Sequence, residues 1–380
     1  MDVHSPRVLL LSFYREGSRS IASLAAESSY LITGPTEPCT HISFVEGTYP
    51  QLHARSFENV EAVGCSSALL RVNTVYIPDY YEVQEHAVVN ESFFLVEYIP
   101  EGVALIYGGV RPQAGNGIML FQIGAFNWYH WLIEILPMAF LAERLPDQYA
   151  SYPFVIPDRI AQIKSFRDSL ELFLHGRSIR VIEKDGLTFS DLIVIDPIAN
   201  GPFNLRRGFW PDKEAFSYNG TLLLEFRHAI LDRLRIQMNN QSDLIFLARE
   251  NDRREFNQSE IQNIAIRHGF RLVYMERLSF REQVELLFGA KVVVGPSGAA
   301  FANILFCQQG ARILSWLLPQ YKGFSSFSNL AQTIGAQMRY IFSEPRQPVE
   351  STGDAYEAKY HLDPVVFENA LTLAVHSRNY

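Results

Sequence analysis

The chain has 380 residues, 48% of them hydrophobic and 19% charged, with a net charge of −8. These are globular proportions at a length beyond one ordinary core, so two domains are expected. The acidic balance excludes a general nucleic-acid binder, because a phosphate backbone is held mainly by excess Lys and Arg.

Cys39, Cys65 and Cys307 lie far apart and form no CxxC pair. This pattern suits reduced thiols in a cytoplasm and neither a disulfide framework nor a structural zinc. The apolar run Val8–Phe13 is too short for a signal segment and lacks a cleavage pattern. Trp131–Ala142, interrupted by Glu134 and Pro137, falls short of a membrane span. The expectation is a cytoplasmic chain with no transmembrane segment, peripheral membrane contact staying open.

Residues 1 to about 120 contain short β-like runs between turn residues: Leu69–Ile77, Phe93–Tyr98 and Val103–Tyr107, the last two split by Pro100-Glu101-Gly102. Tyr14–Thr40 is polar and follows no period that assigns it an element. From Asn127 a helical stripe begins, with Trp131, Ile135 and Met138 on one face and Pro137 placed to kink it. A short strand, Pro153–Pro157, precedes an amphipathic helix from about Gln162 to His175 that stops at Gly176. Strands follow at Ile179–Ile182 and Leu192–Ile195.

The loop Pro197–Gly208, rich in Gly, Pro and Asn, marks the expected domain boundary. Three parts result: 1–208, 209–345, and a tail, 346–380, whose helix Pro364–His376 packs back. Beyond the boundary come a helix Leu222–Gln237, a strand Leu244–Ala248, a helix opening near Asn257, a strand Arg271–Met275 and a helix Ser279–Phe288. Asn257 with Glu260, and Ser279 with Glu282, each fit a capping box. This alternation predicts a parallel, doubly wound sheet, since parallel strands need crossovers of that size.

The chain is organised around Lys291–Phe306, KVVVGPSGAAFANILF, followed by a strand at Arg312–Leu317. It reads as strand, tight turn at Gly295-Pro296-Ser297-Gly298, then helix. Such a junction points backbone N–H groups and the positive end of a helix at one spot, which is an anion site. The plain alternative is a well-formed turn with Ser297 as its N-cap.

Several blocks together resemble family-61 glycosyltransferases. They are Asn127-Trp128-Tyr129-His130-Trp131, the run Arg253–Glu260, and ERLSFREQVELLFGAKVVVGPSGAAFANILF (Glu276–Phe306). Their order and spacing extend over roughly Ala125–Trp316. The resemblance implies an α/β, GT-B-like architecture, two Rossmann-like domains facing across a cleft, here with an extra β-rich N-terminal part. Residues 1–208 become the acceptor-side domain and 209–345 the nucleotide-sugar-binding domain. It further implies a nucleotide-sugar donor, usually UDP-linked, and inversion at the anomeric carbon with no metal or other cofactor. Bacterial relatives serve capsular polysaccharide biosynthesis. The chain departs from the family at two places. Ser297-Gly298-Ala299 stands where His-Gly-Ala is common, and about Ser315 stands where a ribose-binding Glu is common, so the phosphate part of the pattern is better kept than the ribose part.

Glycosyl transfer from a nucleotide diphosphate requires preorganised donors for the charge growing on the leaving group. The chain has no DxD pair, so arginines and a helix N-terminus must serve. Arg249, at the end of a strand, and Arg254 are the expected diphosphate ligands, with Arg253 beside them. Ser297 and the N–H groups of Gly298 and Ala299 complete the cradle, and Asn303 steadies it. Asp252 and Glu255 could instead neutralise Arg253 and Arg254. Inversion also needs a base for the acceptor hydroxyl. His130 is the first candidate. Glu134, four residues on and therefore on the same helical face, either orients it or is the base itself. Asn127, Trp128 and Tyr129 are candidate acceptor contacts, the rings serving as sugar platforms.

The expected partners are thus a nucleotide-sugar and a glycan acceptor. A catalytically silent carbohydrate-binding or scaffold subunit of a polysaccharide assembly is the competing reading. A dinucleotide oxidoreductase ranks lower, because no GxGxxG follows a predicted strand.

Overall fold

A computed structural model describes residues 7–64, 66–79, 95–99, 102–105, 111–202, 208–237, 243–250 and 254–376. The chain folds as two compact units, one of residues 1–28 and 50–204, the other of 29–49 and 205–380.

The first unit contains four parallel strands in the spatial order Ile179–Ile182, Phe154–Pro157, Gln113–Met119, Leu187–Ile195. Phe154, Val155 and Ile156 are fully buried, as expected of a strand covered on both faces. Leu52–Ala62 pairs antiparallel with Leu187–Ile195 and carries the sheet into a mostly antiparallel extension of eleven strands in all. The expected strand Leu69–Ile77 is in fact a hairpin, Leu69–Arg71 and Thr74–Ile77, reversing at Val72 with φ 55°.

The expected kink at Pro137 takes the form of a widened turn. Trp128–His130 is α-helical, Trp131–Ile135 is a π-turn and Leu136–Leu141 is α-helical again. Pro137 has no N–H to give, and its ring would crowd the carbonyl four residues back. The Leu136 N–H bonds the Trp131 carbonyl five residues back, so the turn is one residue wider just before the proline. Trp131 is fully buried and donates its indole N–H to Ser169 Oγ at 2.9 Å, a core residue with its one polar atom satisfied. The expected helix from Gln162 to His175 is two shorter ones, Asp158–Gln162 and Lys164–Glu171. His175 and Gly176 lie in the left-handed region beyond them.

The second unit holds a five-stranded, wholly parallel sheet ordered Arg271–Val273, Asp243–Leu247, Ala290–Pro296, Arg312–Leu317, Gln337–Phe342. The last strand and the helix before it, Ser326–Thr333, extend the predicted alternation by one further unit. Chain order reverses between Asp243–Leu247 and Ala290–Pro296. The carboxyl ends of two such strands are where an open α/β sheet receives ligands.

Ser279 and Glu282 form the expected capping box. Asn257 and Glu260 do not. Asn257 donates to the Leu362 carbonyl and accepts the Leu362 N–H, both at 3.0 Å, so it ties the tail to the sheet. The tail helix Pro364–His376 then buries Phe367, Ala370, Leu371 and Ala374 in one core with Ile261, Ile264 and Ala265.

Tyr14–Thr40 divides between the units. Arg19–Ala25 pairs with Leu52–Ala62 in the first, while Ser28–Thr33 leads into the second. Buried Asn329 accepts the Thr33 N–H at 2.7 Å, Ser328 donates to the Thr33 carbonyl, and the Tyr340 N–H reaches the Thr36 carbonyl at 2.9 Å.

Candidate functional site

The chemistry-bearing residues form two groups, one in each unit. In the second unit, Gly295 and Pro296 end a strand and Ser297 turns the chain into Ala299–Phe306. That helix is 3-10 rather than α, apolar except for Asn303, and buried from Phe301 to Phe306. Its N-cap is Gly298, with extended backbone at φ 176° and no side-chain cap, so Ser297 is not the cap. Any helix of this kind still presents its first N–H groups unbonded by its own turns.

Two guanidinium groups converge on this turn. Arg249, two residues past the strand Asp243–Leu247, donates from Nη2 to the Ser297 carbonyl, and Arg254 donates to the same oxygen at 3.1 Å. An Arg249 Nη2 lies only 2.7 Å from where a Gly298 Cβ would stand, which accounts for glycine there. Burial, and then repulsion from Arg254, lower the Arg249 guanidinium well below its ordinary range, to about 10, so it is still a cation at neutral pH. Gln258 clamps the Arg249 backbone at both its N–H and its carbonyl.

Arg254 is held in the left-handed region, φ 54°, with its guanidinium 4.4 Å from the Tyr356 ring centroid. A non-glycine residue held there costs about 1–3 kcal/mol and needs surroundings that impose it. The Ser297 carbonyl and Tyr356 supply them. Two mutually repelling cations are thus fixed on one carbonyl at the sheet's switch point, the place where an open α/β sheet receives ligands.

Ala299 opens the 3-10 helix, partly exposed. Asn303 is fully buried one turn on and donates to the Ala300 carbonyl at 3.1 Å, within the helix rather than toward the turn. Arg253 lies outside the described residues. Ser315, where the family resemblance expects a ribose ligand, is fully buried and donates to the Gly295 carbonyl at 3.0 Å, so it supports the turn from inside the sheet.

In the first unit, His130, Glu134 and Gln122 meet just past the strand Gln113–Met119. The Glu134 carboxylate is buried. Its Oε2 accepts from His130 Nδ1 at 2.9 Å and from Gln122 Nε2 at 2.6 Å, and its Oε1 has no hydrogen-bond partner among the described residues. The two still meet at i, i+4 spacing, His130 ending the α-turn and Glu134 lying in the widened one.

Asn127 is the N-cap, its side-chain oxygen accepting the Tyr129 N–H at 2.9 Å. Tyr129 is buried against the His130 ring, edge to face at 5.2 Å, and Trp128, partly exposed, sets its edge on Phe166. Gln122, Gln258 and Tyr356 escaped the sequence reading. Gln122 and Tyr356 belong to no periodic stripe or charged motif, and Gln258, though inside the run Arg253–Glu260, carries no charge or cap signature, so only their contacts reveal them. Among the described residues no cluster of three or more His, Cys, Asp or Glu could hold a metal ion, and no helix is long and apolar enough to cross a membrane.

Parallel α/β sheets, one with two guanidinium groups at its switch point, and an imidazole held on a buried carboxylate are compatible with a Rossmann-like transferase. The family model described as Glycosyltransferase 61 matches residues 128–314, just under half of the chain. The match takes in His130, Glu134, Arg249, Arg254 and the Ser297 turn. It supports a family-61 glycosyltransferase, and with it glycosyltransferase activity on a sugar donor and a glycan acceptor. No curated protein matches the chain.

Proposed function

We propose that the chain is an inverting, metal-independent glycosyltransferase of GT-B type, working in the cytoplasm on capsule-type polysaccharide. It moves a sugar from a nucleotide-sugar, UDP-linked in this reading, to a glycan hydroxyl. The observation that carries the donor reading is the convergence of Arg249 and Arg254 on the Ser297 carbonyl at the sheet's switch point. As the bond from the anomeric carbon to the diphosphate oxygen breaks, these guanidinium groups and the N–H groups of Gly298 and Ala299 meet the departing charge. His130 takes the proton of the acceptor hydroxyl as its oxygen attacks opposite the leaving group, with Glu134 stabilising the imidazolium that forms.

The GT-B assignment rests on two α/β units, each with parallel strands. The test is a thermal-shift panel of UDP-, GDP- and CMP-sugars, followed by product analysis with the stabilising donor. Stabilisation by one nucleotide series, with slow donor hydrolysis, is expected. A protein indifferent to all three would be a scaffold and not a transferase.

A further inference from the structure

Gln122 reaches Glu134 across a turn, and no step of the transfer scheme above uses it. It lies in the loop between the strand Gln113–Met119 and the Asn127 cap, and its side chain is buried. Both groups that touch the Glu134 carboxylate touch the same oxygen: Gln122 Nε2 at 2.6 Å and His130 Nδ1 at 2.9 Å. A carboxylate oxygen has two lone pairs, and two donors fill them. An amide cannot be protonated or deprotonated at working pH, so its N–H is a permanent donor, and it keeps Oε2 an acceptor toward the imidazole.

We propose that Gln122 is a positioning residue for His130, acting through Glu134. It fixes the carboxylate so that Nδ1 carries the ring hydrogen and the basic lone pair is assigned to Nε2. This rests on the reading of His130 as the base and specifies which nitrogen does the work. The orientation of an imidazole on a carboxylate decides its tautomer, and a base in the wrong tautomer is silent even when well placed. Glu134 by itself could not guarantee that orientation. Its other oxygen is buried without a partner among the described residues, so a carboxylate free to turn could swing both oxygens off Nδ1 and leave the ring no acceptor to fix its hydrogen. Gln122 removes that freedom by binding one of them.

The test reads the ring directly and needs no donor. In protein labelled with 15N-histidine, the two ring nitrogens are distinguished by their shifts at a pH where the imidazole is neutral. Wild type is expected to show hydrogen on Nδ1 of His130. Gln122→Leu, which keeps the bulk and removes the donor, is expected to give a mixture of tautomers. It is also expected to lower kcat by about 10- to 100-fold, the usual cost of losing a partner that orients a functional imidazole, with the donor KM unchanged. If Gln122→Leu does not fold, Gln122→Met serves instead, since it keeps the length and bulk of the side chain without the N–H donor. A His130 that keeps hydrogen on Nδ1 in these variants, or that carries it on Nε2 in wild type, overturns the proposal. His130→Ala separates this from the underlying reading. If that variant still transfers sugar, His130 is not the base, whatever its tautomer. If it binds nucleotide but no longer transfers while Gln122→Leu leaves the ring unchanged, the base stands and Gln122's role falls.

Discussion

Gly298→Ala is the sharpest probe of the donor cradle, because it adds one carbon and removes no charge. Gly298 has φ 176°, an extended conformation open to any residue, so alanine strains no backbone. Its Cβ would stand 2.7 Å from an Arg249 Nη2, against an ordinary contact of at least 3.4 Å, so the guanidinium must retreat by about 0.7 Å. That nitrogen is the one bonded to the Ser297 carbonyl. Losing a hydrogen bond from a charged donor costs about 1.5–3 kcal/mol. If the displaced guanidinium loses a comparable contact to the diphosphate, nucleotide affinity falls about 10- to 100-fold. Calorimetry of UDP, GDP and CMP binding to wild type and variant, with melting followed by circular dichroism, measures this. A folded Gly298→Ala protein with wild-type affinity for its nucleotide would show that Arg249 does not hold the phosphates.

Arg254→Ala removes the second cation and is expected to weaken donor binding and lower turnover together, by about 10- to 100-fold, with unchanged kinetics taking Arg254 out of the site. Burial lowers Arg249 to about 10, below its ordinary value, so between the two the unfolded chain holds a proton the folded chain does not. Stability from this group should therefore rise with pH across that window, being least favourable below it, while nucleotide affinity should fall as pH rises through about 10. Calorimetry from pH 8 to 10.5 checks the second half, and affinity that rises over that range would contradict it. Transfer should persist in EDTA, and a strict requirement for a divalent ion would refute the metal-free scheme.

Much of this protein is legible residue by residue. The alternation from Asp243 to Leu317 and the tail helix Pro364–His376 follow from hydrophobic period and turn residues, and Ser279 with Glu282 announces its own cap. Arg249 could be placed at a strand's carboxyl end because strand ends are local features. Asn257 with Glu260 shows the limit of that reasoning. The same three-residue spacing that makes a cap at Ser279 fails at Asn257, because the Leu362 backbone competes for the side chain. The 3-10 winding of Ala299–Phe306 and the widened turn before Pro137 were likewise invisible to a period count.

What the chain alone determined, then, is which segments become strands and helices and which side chains carry the chemistry, since both depend on neighbours a few residues away. Tertiary structure decided the order of strands, and so put the Arg249 and Ser297 turns on adjacent strands at a switch point. It also seated residues 29–49 in the second unit, laid Tyr356 under Arg254 and brought Gln122 to Glu134. Pairing between distant segments is set by which faces bury together and which polar groups find partners, and no short window of sequence contains that information.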